Sequence, residues 1–243
     1  MPSSQSRQNE LRALIARPFA HRGLHGPGVP ENSRAAFEAA IAAGHGIELD
    51  VQASVDGEAF VIHDYALERL TMGDGAVRTL GAAELKRIRL KDSDETIPTL
   101  AEILALVGGR VPLLIEVKSP DRRVAALVRA VLAALEGYQG PAAVMSFNPE
   151  IGRWLARYAP ERLRGLVVSE AGRRWRGWLT RRLALWRARP DFLAYDIRDL
   201  PSRFAEAQRM KGMKVLTWTC RSFVDRARAA EHADQIIYEA PPR

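Results

Sequence analysis

Cysteine is nearly absent from the sequence, which contains a single one, Cys220, in 243 residues. One thiol cannot close an intramolecular disulfide, so the fold does not depend on an oxidising compartment. Long apolar runs are also lacking, because no window approaches the ~20 apolar residues that span a bilayer. The N-terminal segment shows no apolar stretch of the kind that a secretory signal requires. We therefore expect a cytoplasmic protein without a membrane-spanning helix.

The composition is otherwise ordinary for a folded protein, with 47% apolar and 27% charged residues, 18 Gly and 14 Pro. These values exclude a disordered chain, a collagen and a coiled coil. The length matches the roughly 200 to 250 residues that an α/β barrel occupies as one domain. No low-complexity linker divides the chain, so we interpret residues 1–243 as a single domain.

Acidic residues are scarce in the second half of the chain. Residues 1–120 carry 13 basic and 16 acidic side chains, whereas residues 121–243 carry 23 basic and 13 acidic ones. The segment 171–189 contains seven Arg, three Trp and no acid, and its pattern predicts a basic amphipathic helix. Two interpretations stay open, namely an apolar face packed on the protein's own domain with solvated arginines, or peripheral contact with an anionic membrane.

Short runs rich in Val, Ile and Phe alternate with helical patterns, as in a parallel-sheet protein. Nine strand candidates compete for the eight positions of a TIM (β/α)8 barrel, and a doubly wound open sheet is the alternative. Asp56-Gly57 is a two-residue turn signal, so we predict that 59–62 returns antiparallel to its predecessor. The following segment, about 64–98, is interpreted as a small cap insertion over the barrel mouth. The predicted strands are 18–22, 46–52, 59–62, 111–117, 142–147, 163–168, 191–195, 213–218 and 234–238, and the predicted helices are 33–43, 99–107, 122–136, 149–158, 201–210 and 222–230.

Three carboxylates interrupt otherwise apolar strands. Glu48 and Asp50 are two residues apart and therefore share one face of a strand, as do Glu116 and Lys118. Buried charge is costly unless it is paired or bound to a metal. Oxygen ligands at the ends of two strands favour a hard divalent cation, Mg2+ or Ca2+. The alternative is a structural ion-pair network with Lys118.

Two histidines are candidates for acid–base catalysis. If Asp56-Gly57 forms the turn, Asp50 lies opposite His63, and this register places the imidazole next to the carboxylates. His21 ends the first predicted strand, with Arg22 beside it as an anion-binding partner. Each histidine alone is also consistent with a structural role.

Several other chemistries are disfavoured. The loop after Arg22 reads GxxGxG, the reverse of the dinucleotide fingerprint, so no nucleotide cofactor is expected. No GxSxG motif is present and Cys220 lies in an apolar strand end, which argues against covalent acyl transfer. Nucleic-acid binding is not expected either, because the arginines are concentrated with tryptophans in one helix.

Two histidines, an arginine, a lysine and a carboxylate metal site meet the demands of phosphodiester cleavage. Cations stabilise charge on the phosphoryl oxygens, while one imidazole takes a proton from the attacking hydroxyl and the other protonates the leaving alkoxide. Glu31 and Asn32 precede a helix and act either as rim ligands of the site or, for Asn32 or Ser33, as the helix cap.

An ordered series of motifs resembles the glycerophosphodiester phosphodiesterase family. The series spans Phe19 to Glu116 and the looser likeness about 18–241. Its motifs are AHRG at 20–23, PENS at 30–33, ELDV at 48–51, VIHD at 61–64, IPTL at 97–100 and IEVK at 115–118.

The resemblance implies a TIM barrel and hydrolysis of glycerophosphodiesters to an alcohol and sn-glycerol 3-phosphate. It implies that His21 and His63 are the catalytic pair and that Glu48, Asp50 and Glu116 bind one divalent cation, Mg2+, Ca2+ or Mn2+. The residues implied to contact substrate or phosphate are Arg22, Lys118, Glu31, Asn32 and Trp218.

The last two strand ends depart from the family pattern. Arg221 stands where the family has Asn, and Tyr238-Glu239 replaces Thr-Asp. Because these positions line the barrel mouth, the alcohol preference is open. A lysophospholipase D-like lipid phosphodiesterase is one alternative, and a noncatalytic phosphate-binding or membrane-binding barrel is another.

Overall fold

The computed structural model describes residues 4–170 and 176–240. Eight parallel strands close into a barrel, because β1 pairs with both β2 and β9, and a ninth strand, β3, lies antiparallel beside β2. This architecture confirms the predicted TIM barrel and excludes the open sheet. The strands are β1 (Phe19–His21), β2 (Gly46–Ala53), β3 (Ala59–Val61), β4 (Leu113–Val117), β5 (Ala142–Ser146), β6 (Leu163–Val168), β7 (Phe192–Asp196), β8 (Lys214–Cys220) and β9 (Gln235–Tyr238).

Alternate residues of each strand point to opposite faces of the barrel, and both faces are apolar. The outer face is covered by helices. On β4, Leu113, Ile115 and Val117 pack outward in one apolar cluster with the helices, whereas Leu114 points into the barrel. The α-helices are α1 (Ser4–Leu14), α2 (Arg34–Ala42), α3 (Ala82–Leu85), α4 (Leu100–Val107), α5 (Ala125–Ala134), α6 (Pro149–Tyr158), α7 (Arg176–Ala188), α8 (Arg203–Arg209) and α9 (Phe223–His232).

The hairpin between β2 and β3 has a different register from the predicted one. Val51 pairs with Val61 and Ala53 with Ala59, so the extension of this ladder places Ile62, not His63, opposite Asp50. The prediction was wrong by one residue because the loop is longer than a two-residue turn. Ser54 pairs with Glu58 through Ser54 N and Glu58 O, and Gly57 adopts a left-handed conformation with φ of 89°.

The segment between β3 and α4 contains its own apolar cluster. Leu67, Val77, Leu85 and Leu90 are buried there against Phe60. This satellite core is consistent with the interpretation of 64–98 as a cap insertion.

Helix α1 was not predicted, and it packs at the end of the barrel where the strands begin. Its side chains Leu11 and Leu14 join the apolar cluster inside the barrel. Arg7 Nη2 donates to Asp191 Oδ2 over 2.6 Å and to the Arg162 carbonyl over 2.8 Å. The residues of α1 are polar on average, so tertiary contacts rather than an apolar stripe hold this helix in place.

Helix α7 confirms part of the basic amphipathic helix expected at 171–189, of which residues 171–175 lie outside the described residues. Its packing differs from the interpretation in which the large apolar side chains face the domain. Trp178, Leu179, Leu183 and Trp186 are exposed, whereas Leu185 packs on the barrel. Within residues 4–170 and 176–240, no helix has the length and apolar character needed to cross a bilayer.

Candidate active site

Three carboxylates converge at the carboxyl ends of β2 and β4. Asp50 and Glu116 are directly paired in the parallel register, and Glu48 lies two residues before Asp50 on the same inward face. One oxygen from each carboxylate lies within 4.8 Å of the others, and all three side chains are buried. The period of two along each strand therefore produces the cluster that the sequence predicted.

Two basic side chains lie against this cluster. Lys118 Nζ donates to Glu116 Oε1 over 2.6 Å and is 3.1 Å from Asp50 Oδ1, while Arg22 Nε is 3.1 Å from Asp50 Oδ2. The backbone N–H of Arg22 donates to Glu48 Oε2 over 3.1 Å. Three carboxylates thus face two cationic side chains, so the charge of the cluster is not fully balanced without a further positive charge.

The donor set fits a hard divalent cation. All three ligands are carboxylates, the type that Mg2+, Ca2+ and Mn2+ prefer. Asp50 Oδ1 is buried and makes no hydrogen bond within the described residues, although Lys118 is close to it. A buried oxygen without a hydrogen bond is the feature expected of a ligand atom. The alternative from the sequence, an ion-pair network with Lys118, is present as well, and it reaches this oxygen as an ion pair at 3.1 Å without a hydrogen bond.

The pKa values of the cluster differ strongly from one another. Burial and the neighbouring carboxylates raise the pKa of Glu48 well above its ordinary value. Burial raises the pKa of Glu116 to about 7, although Lys118 opposes the shift. For Asp50, burial is outweighed by Lys118 and Arg22, which lower its pKa to about 2. Without a bound cation, the cluster therefore retains protons that a metal would displace.

His21 is held by a carboxylate from the opposite side of the mouth. Its Nδ1 donates to Glu239 Oε1 over 2.7 Å, and Arg221 Nε in turn donates to Glu239 Oε2 over 2.6 Å. Because Nδ1 carries the proton, Nε2 is the basic nitrogen of the neutral ring, and it lies 3.9 Å from Glu48 Oε2. Burial lowers the pKa of His21, whereas the Glu239 hydrogen bond opposes this shift.

His63 is held in the same manner on the other side. Its Nδ1 donates to Asp64 Oδ1 over 2.6 Å, and Arg69 Nη2 donates to that oxygen over 2.8 Å. Burial lowers the pKa of His63, which favours the neutral ring with a basic Nε2. His63 reaches the site although the predicted register was wrong, because the chain leaves the sheet after Val61. The Gln52 side chain fixes this exit by donating to the carbonyl of Asp64 over 2.6 Å.

Glu31 and Asn32 lie at the rim of the site, where they form hydrogen bonds with its basic and acidic side chains. Glu31 Oε1 accepts hydrogen bonds from Arg22 over 2.6 Å and from Arg69 over 3.0 Å. Asn32 Nδ2 donates to Asp50 Oδ2 over 3.0 Å, from a left-handed backbone with φ of 59°. The cap of α2 is Ser33, whose hydroxyl accepts from the backbone N–H of Ala36. Asn32 is therefore not the helix cap.

A small cavity opens above these groups. It has a volume of about 210 Å³, and Phe147 and Trp218 form its aromatic wall, with ring centroids 5.4 Å apart. Trp218 Nε1 donates to the Ala194 carbonyl over 2.9 Å, which fixes the ring. Other residues lining the cavity are His21, Arg22, Glu48, His63, Glu116 and Lys118.

Sequence reasoning missed the residues that orient the histidines. Asp64 directly follows His63, so a carboxylate next to a candidate catalytic histidine was a usable signal. Glu239 and Arg221 were noted only as departures from the family pattern. Their pairing with His21 depends on the closure of the barrel, which brings β1 and β9 together. Cys220 is buried, and burial raises the pKa of its thiol to about 11, so it is not an activated nucleophile.

A parallel barrel with paired histidines and cations around buried carboxylates at its mouth is typical of enzymes that hydrolyse phosphoric diesters. Residues 21–238 match the sequence profile of the glycerophosphoryl diester phosphodiesterase family. The chain belongs to this family and is a phosphoric diester hydrolase.

Individual relatives agree with this classification. A glycerophosphodiester phosphodiesterase of Caldanaerobacter subterraneus is 31% identical over 234 residues, covering 92% of this chain and 93% of the relative. A phosphodiesterase of Oleispira antarctica, solved with the product sn-glycerol-3-phosphate, superposes with a TM-score of 0.80 at 25% identity and 93% coverage of both chains. A glycerophosphodiester phosphodiesterase of Thermotoga maritima gives a TM-score of 0.72 at 26% identity, covering 90% of this chain and 92% of that one.

Proposed function

We propose that the protein hydrolyses glycerophosphodiesters to an alcohol and sn-glycerol 3-phosphate, using one divalent cation and the His21 and His63 pair. The observation that supports this proposal best is that the two imidazoles are hydrogen-bonded in the same way. Each donates its Nδ1 proton to a carboxylate, Glu239 or Asp64, and each lines the cavity beside the carboxylate cluster. The product found in the Oleispira relative is the one that this reaction releases.

Glu48, Asp50 and Glu116 would hold the cation, Mg2+, Ca2+ or Mn2+, which supplies positive charge for the phosphoryl oxygens. Arg22 and Lys118, which line the cavity, would bind the remaining phosphoryl oxygens. No nucleotide cofactor takes part in this proposal.

Proton transfer then falls to the two histidines. One imidazole Nε2 accepts the proton of the attacking hydroxyl as its oxygen bonds to phosphorus. If water attacks, sn-glycerol 3-phosphate forms directly; if a glycerol hydroxyl attacks, a cyclic glycerol phosphate forms first and water then opens it to sn-glycerol 3-phosphate. The other imidazole, protonated, donates to the alcohol oxygen as the opposite phosphorus–oxygen bond breaks. Glu239 and Asp64 stabilise the positive charge that each ring carries in turn.

Trp218 and Phe147 would pack against the glycerol or the headgroup, whereas Glu31 and Asn32 orient Arg22, Arg69 and Asp50. The rim substitution at Arg221 fits this scheme, because its guanidinium holds Glu239 in place.

The test is release of sn-glycerol 3-phosphate from glycerophosphocholine by the purified protein, with EDTA and with added Mg2+, Ca2+ or Mn2+. We expect metal-dependent turnover that is lost in His21→Ala and Glu48→Ala. His232→Ala serves as the matched control, because His232 lies on α9 and contacts Glu206 rather than the site. Turnover in EDTA equal to that with metal would contradict the proposed metal dependence. Absence of turnover with every metal and diester would favour a noncatalytic phosphate-binding barrel.

A lipid substrate is the second candidate. On the His63 side the mouth widens into a groove of about 570 Å³, where the exposed side chains of Tyr65 and Phe147 and the methyl group of Ala66 offer apolar contact. This groove would accommodate an acyl chain of a lysophospholipid. Comparison of lysophosphatidylcholine with glycerophosphocholine in the same assay, in the wild type and in Phe147→Ser, tests this candidate. A selective loss on the lysolipid supports it, whereas equal losses on both substrates contradict it.

We place the protein in the cytoplasm, with peripheral contact at the inner face of the membrane through residues 171–189. The basis is the concentration of Arg and Trp in that segment.

A further inference from the structure

The outer face of α7 exposes four large apolar side chains. Leu179, Leu183 and Trp186 are 59%, 58% and 67% exposed, and Trp178 is 45% exposed. At about 100° per residue these four positions fall within an arc of about 140° on one side of the helix. An exposed apolar stripe of this kind marks a surface that contacts another phase or partner.

The opposite face of α7 packs against the rest of the protein, and its residues explain why the apolar stripe is exposed to solvent. Gly177 and Ala188 are buried, and α6 approaches so closely that a Cβ on Gly152 would lie 2.7 Å from the Ala188 carbonyl oxygen. Small residues therefore make the contact with α6, Leu185 packs on the barrel, and the large side chains of the stripe lie on the outer side.

Arginine-lined grooves run beside the stripe. The groove between α5 and α6 has a volume of about 510 Å³ and is lined by Trp154, Tyr158 and the arginines at 122, 123, 129, 153 and 157. The groove between α6 and α7 has a volume of about 360 Å³, and Trp186 lines it together with Arg153, Arg157, Arg187 and Arg189.

Acidic charge is almost missing from this region. Among the described residues that line the two grooves, Glu150 is the only acid, and it is largely buried. Arg122, Arg153 and Arg187 surround it within ion-pair distance. The three arginines thus outnumber the single negative charge of Glu150, and the lining of the two grooves carries a net positive charge.

We infer that this surface, the α5–α7 flank, docks on an anionic lipid bilayer. The flank comprises the exposed stripe of α7 and the two arginine-lined grooves. Its charge is complementary to anionic headgroups, and its tryptophan and leucine side chains can enter the boundary between headgroups and acyl chains. The guanidinium of Arg182 lies 4.7 Å above the Trp178 ring, so charge and apolar surface alternate at short range.

The alternative of a nucleic acid explains less of this surface. Phosphate contacts would use the arginines, but leucines at 179 and 183 offer no base contact and would stay exposed. A bilayer is the occupant that covers both the apolar stripe and the cations.

The position of the flank determines how the enzyme would lie on the membrane. Helix α7 follows β6 and returns along the outside of the barrel, whereas the catalytic mouth is at the carboxyl ends of the strands. Docking therefore places the barrel on its side, with the mouth beside the bilayer rather than in it. The flank contains none of the catalytic residues, so this inference deepens the peripheral membrane contact proposed above and does not depend on the proposed hydrolysis.

The experiment is flotation of the full-length protein with vesicles of phosphatidylcholine alone or mixed with phosphatidylglycerol. We expect binding to the mixed vesicles that weakens as salt is raised. Arg153→Gln/Arg157→Gln should weaken it by about 10- to 30-fold. Leu183→Ser/Trp186→Ser should weaken it by at least about tenfold, because apolar area no longer enters the bilayer.

Two control variants lie outside the flank. Arg78→Gln/Arg87→Gln removes the same number of exposed arginines from the 64–98 segment, and Met210→Ser removes an exposed apolar side chain after α8. Both should bind vesicles like the wild type. All variants should retain wild-type hydrolysis of dissolved glycerophosphocholine, which separates failed docking from failure of the proposed function.

Three results would overturn the inference. The first is equal partition onto neutral and anionic vesicles, or none onto either. The second is double-stranded DNA bound more tightly than vesicles, with vesicle partition unchanged in Leu183→Ser/Trp186→Ser. The third is self-association in sedimentation velocity that Leu183→Ser/Trp186→Ser abolishes without changing vesicle binding, which would assign the stripe to a second copy of the chain.

Discussion

Replacing Glu116 by Gln should change how the stability of the metal-free protein depends on pH. Burial raises the pKa of Glu116 from 4.5 to about 7 in the folded protein. Between these values the folded state binds a proton that the unfolded state has released, so stability falls as pH rises. The glutamine side chain does not titrate, so the unfolding free energy of the variant lacks this pH-dependent contribution.

The size of the effect follows from the interval between the two pKa values. At about 1.4 kcal/mol per pH unit, the interval from 4.5 to about 7 corresponds to roughly 3 kcal/mol. Glu116→Gln should therefore gain roughly 3 kcal/mol in unfolding free energy, relative to wild type, as pH rises through this window. The histidines at 21 and 63 titrate in the opposite sense in both proteins, so the difference between the proteins reports Glu116 together with its effect on the neighbouring carboxyl of Glu48.

Urea unfolding in EDTA at several pH values between about 4.5 and 7.5 measures this difference. Glu38→Gln, which alters an exposed carboxylate on α2, is the control and should run parallel to wild type. Added Mg2+ at about a hundred times its Kd should stabilise the wild type by about 2.7 kcal/mol at the upper end of the range. Parallel curves for Glu116→Gln and wild type would refute the reasoning, because the buried carboxyl would then hold no extra proton.

Four further substitutions test the site and the packing. His21→Ala and His63→Ala should each lower kcat by about 10²- to 10⁴-fold in steady-state assays while Mg2+ binding by calorimetry persists; unchanged kcat in either would remove that histidine from the mechanism. Glu239→Gln weakens the hydrogen bond that orients His21 and should lower kcat by about 10- to 100-fold with little change in KM, an effect that Glu239→Asp partly restores. Gly152→Ala should cost about 1 to 3 kcal/mol in urea unfolding, because the new Cβ meets the Ala188 carbonyl, and an unaffected midpoint would show that α6 and α7 separate easily.

The catalytic strands could be predicted because each inward carboxylate stands out against an apolar background. Asp50 and Glu116 are charged positions in strands that are otherwise mostly apolar, and the period of two assigns each to the inward face of its strand. The pairing of the two residues in the parallel register then follows from the barrel. All nine predicted strands are present within a few residues of their predicted ends.

The features that were missed depend on contacts that no local pattern encodes. The partner of His21 lies 218 positions away, at Glu239, and becomes adjacent only when the barrel closes. The hairpin register failed because Asp56-Gly57 is compatible with both a two-residue and a three-residue loop, and Gly57 occupies the left-handed position of the longer one.

Helix α7 shows a second limit of pattern reasoning. Hydrophobic periodicity locates large apolar residues, but close packing between helices selects small ones, here Gly152 of α6 and Ala188 of α7. The apolar arc, for which the sequence left both packing on the domain and membrane contact open, is therefore exposed except at Leu185. The N-terminal helix α1 was missed for a related reason, because its attachment depends on Arg7 and two leucines rather than on an apolar stripe.

The most direct test of the proposed chemistry is to identify the products formed from glycerophosphocholine by phosphorus and proton NMR, with Mg2+ and with EDTA. The arrangement of His21 and His63 around the carboxylate cluster predicts sn-glycerol 3-phosphate and choline in equal amounts, formed only with the metal. Phosphocholine and glycerol as products, or equal turnover in EDTA, would contradict it.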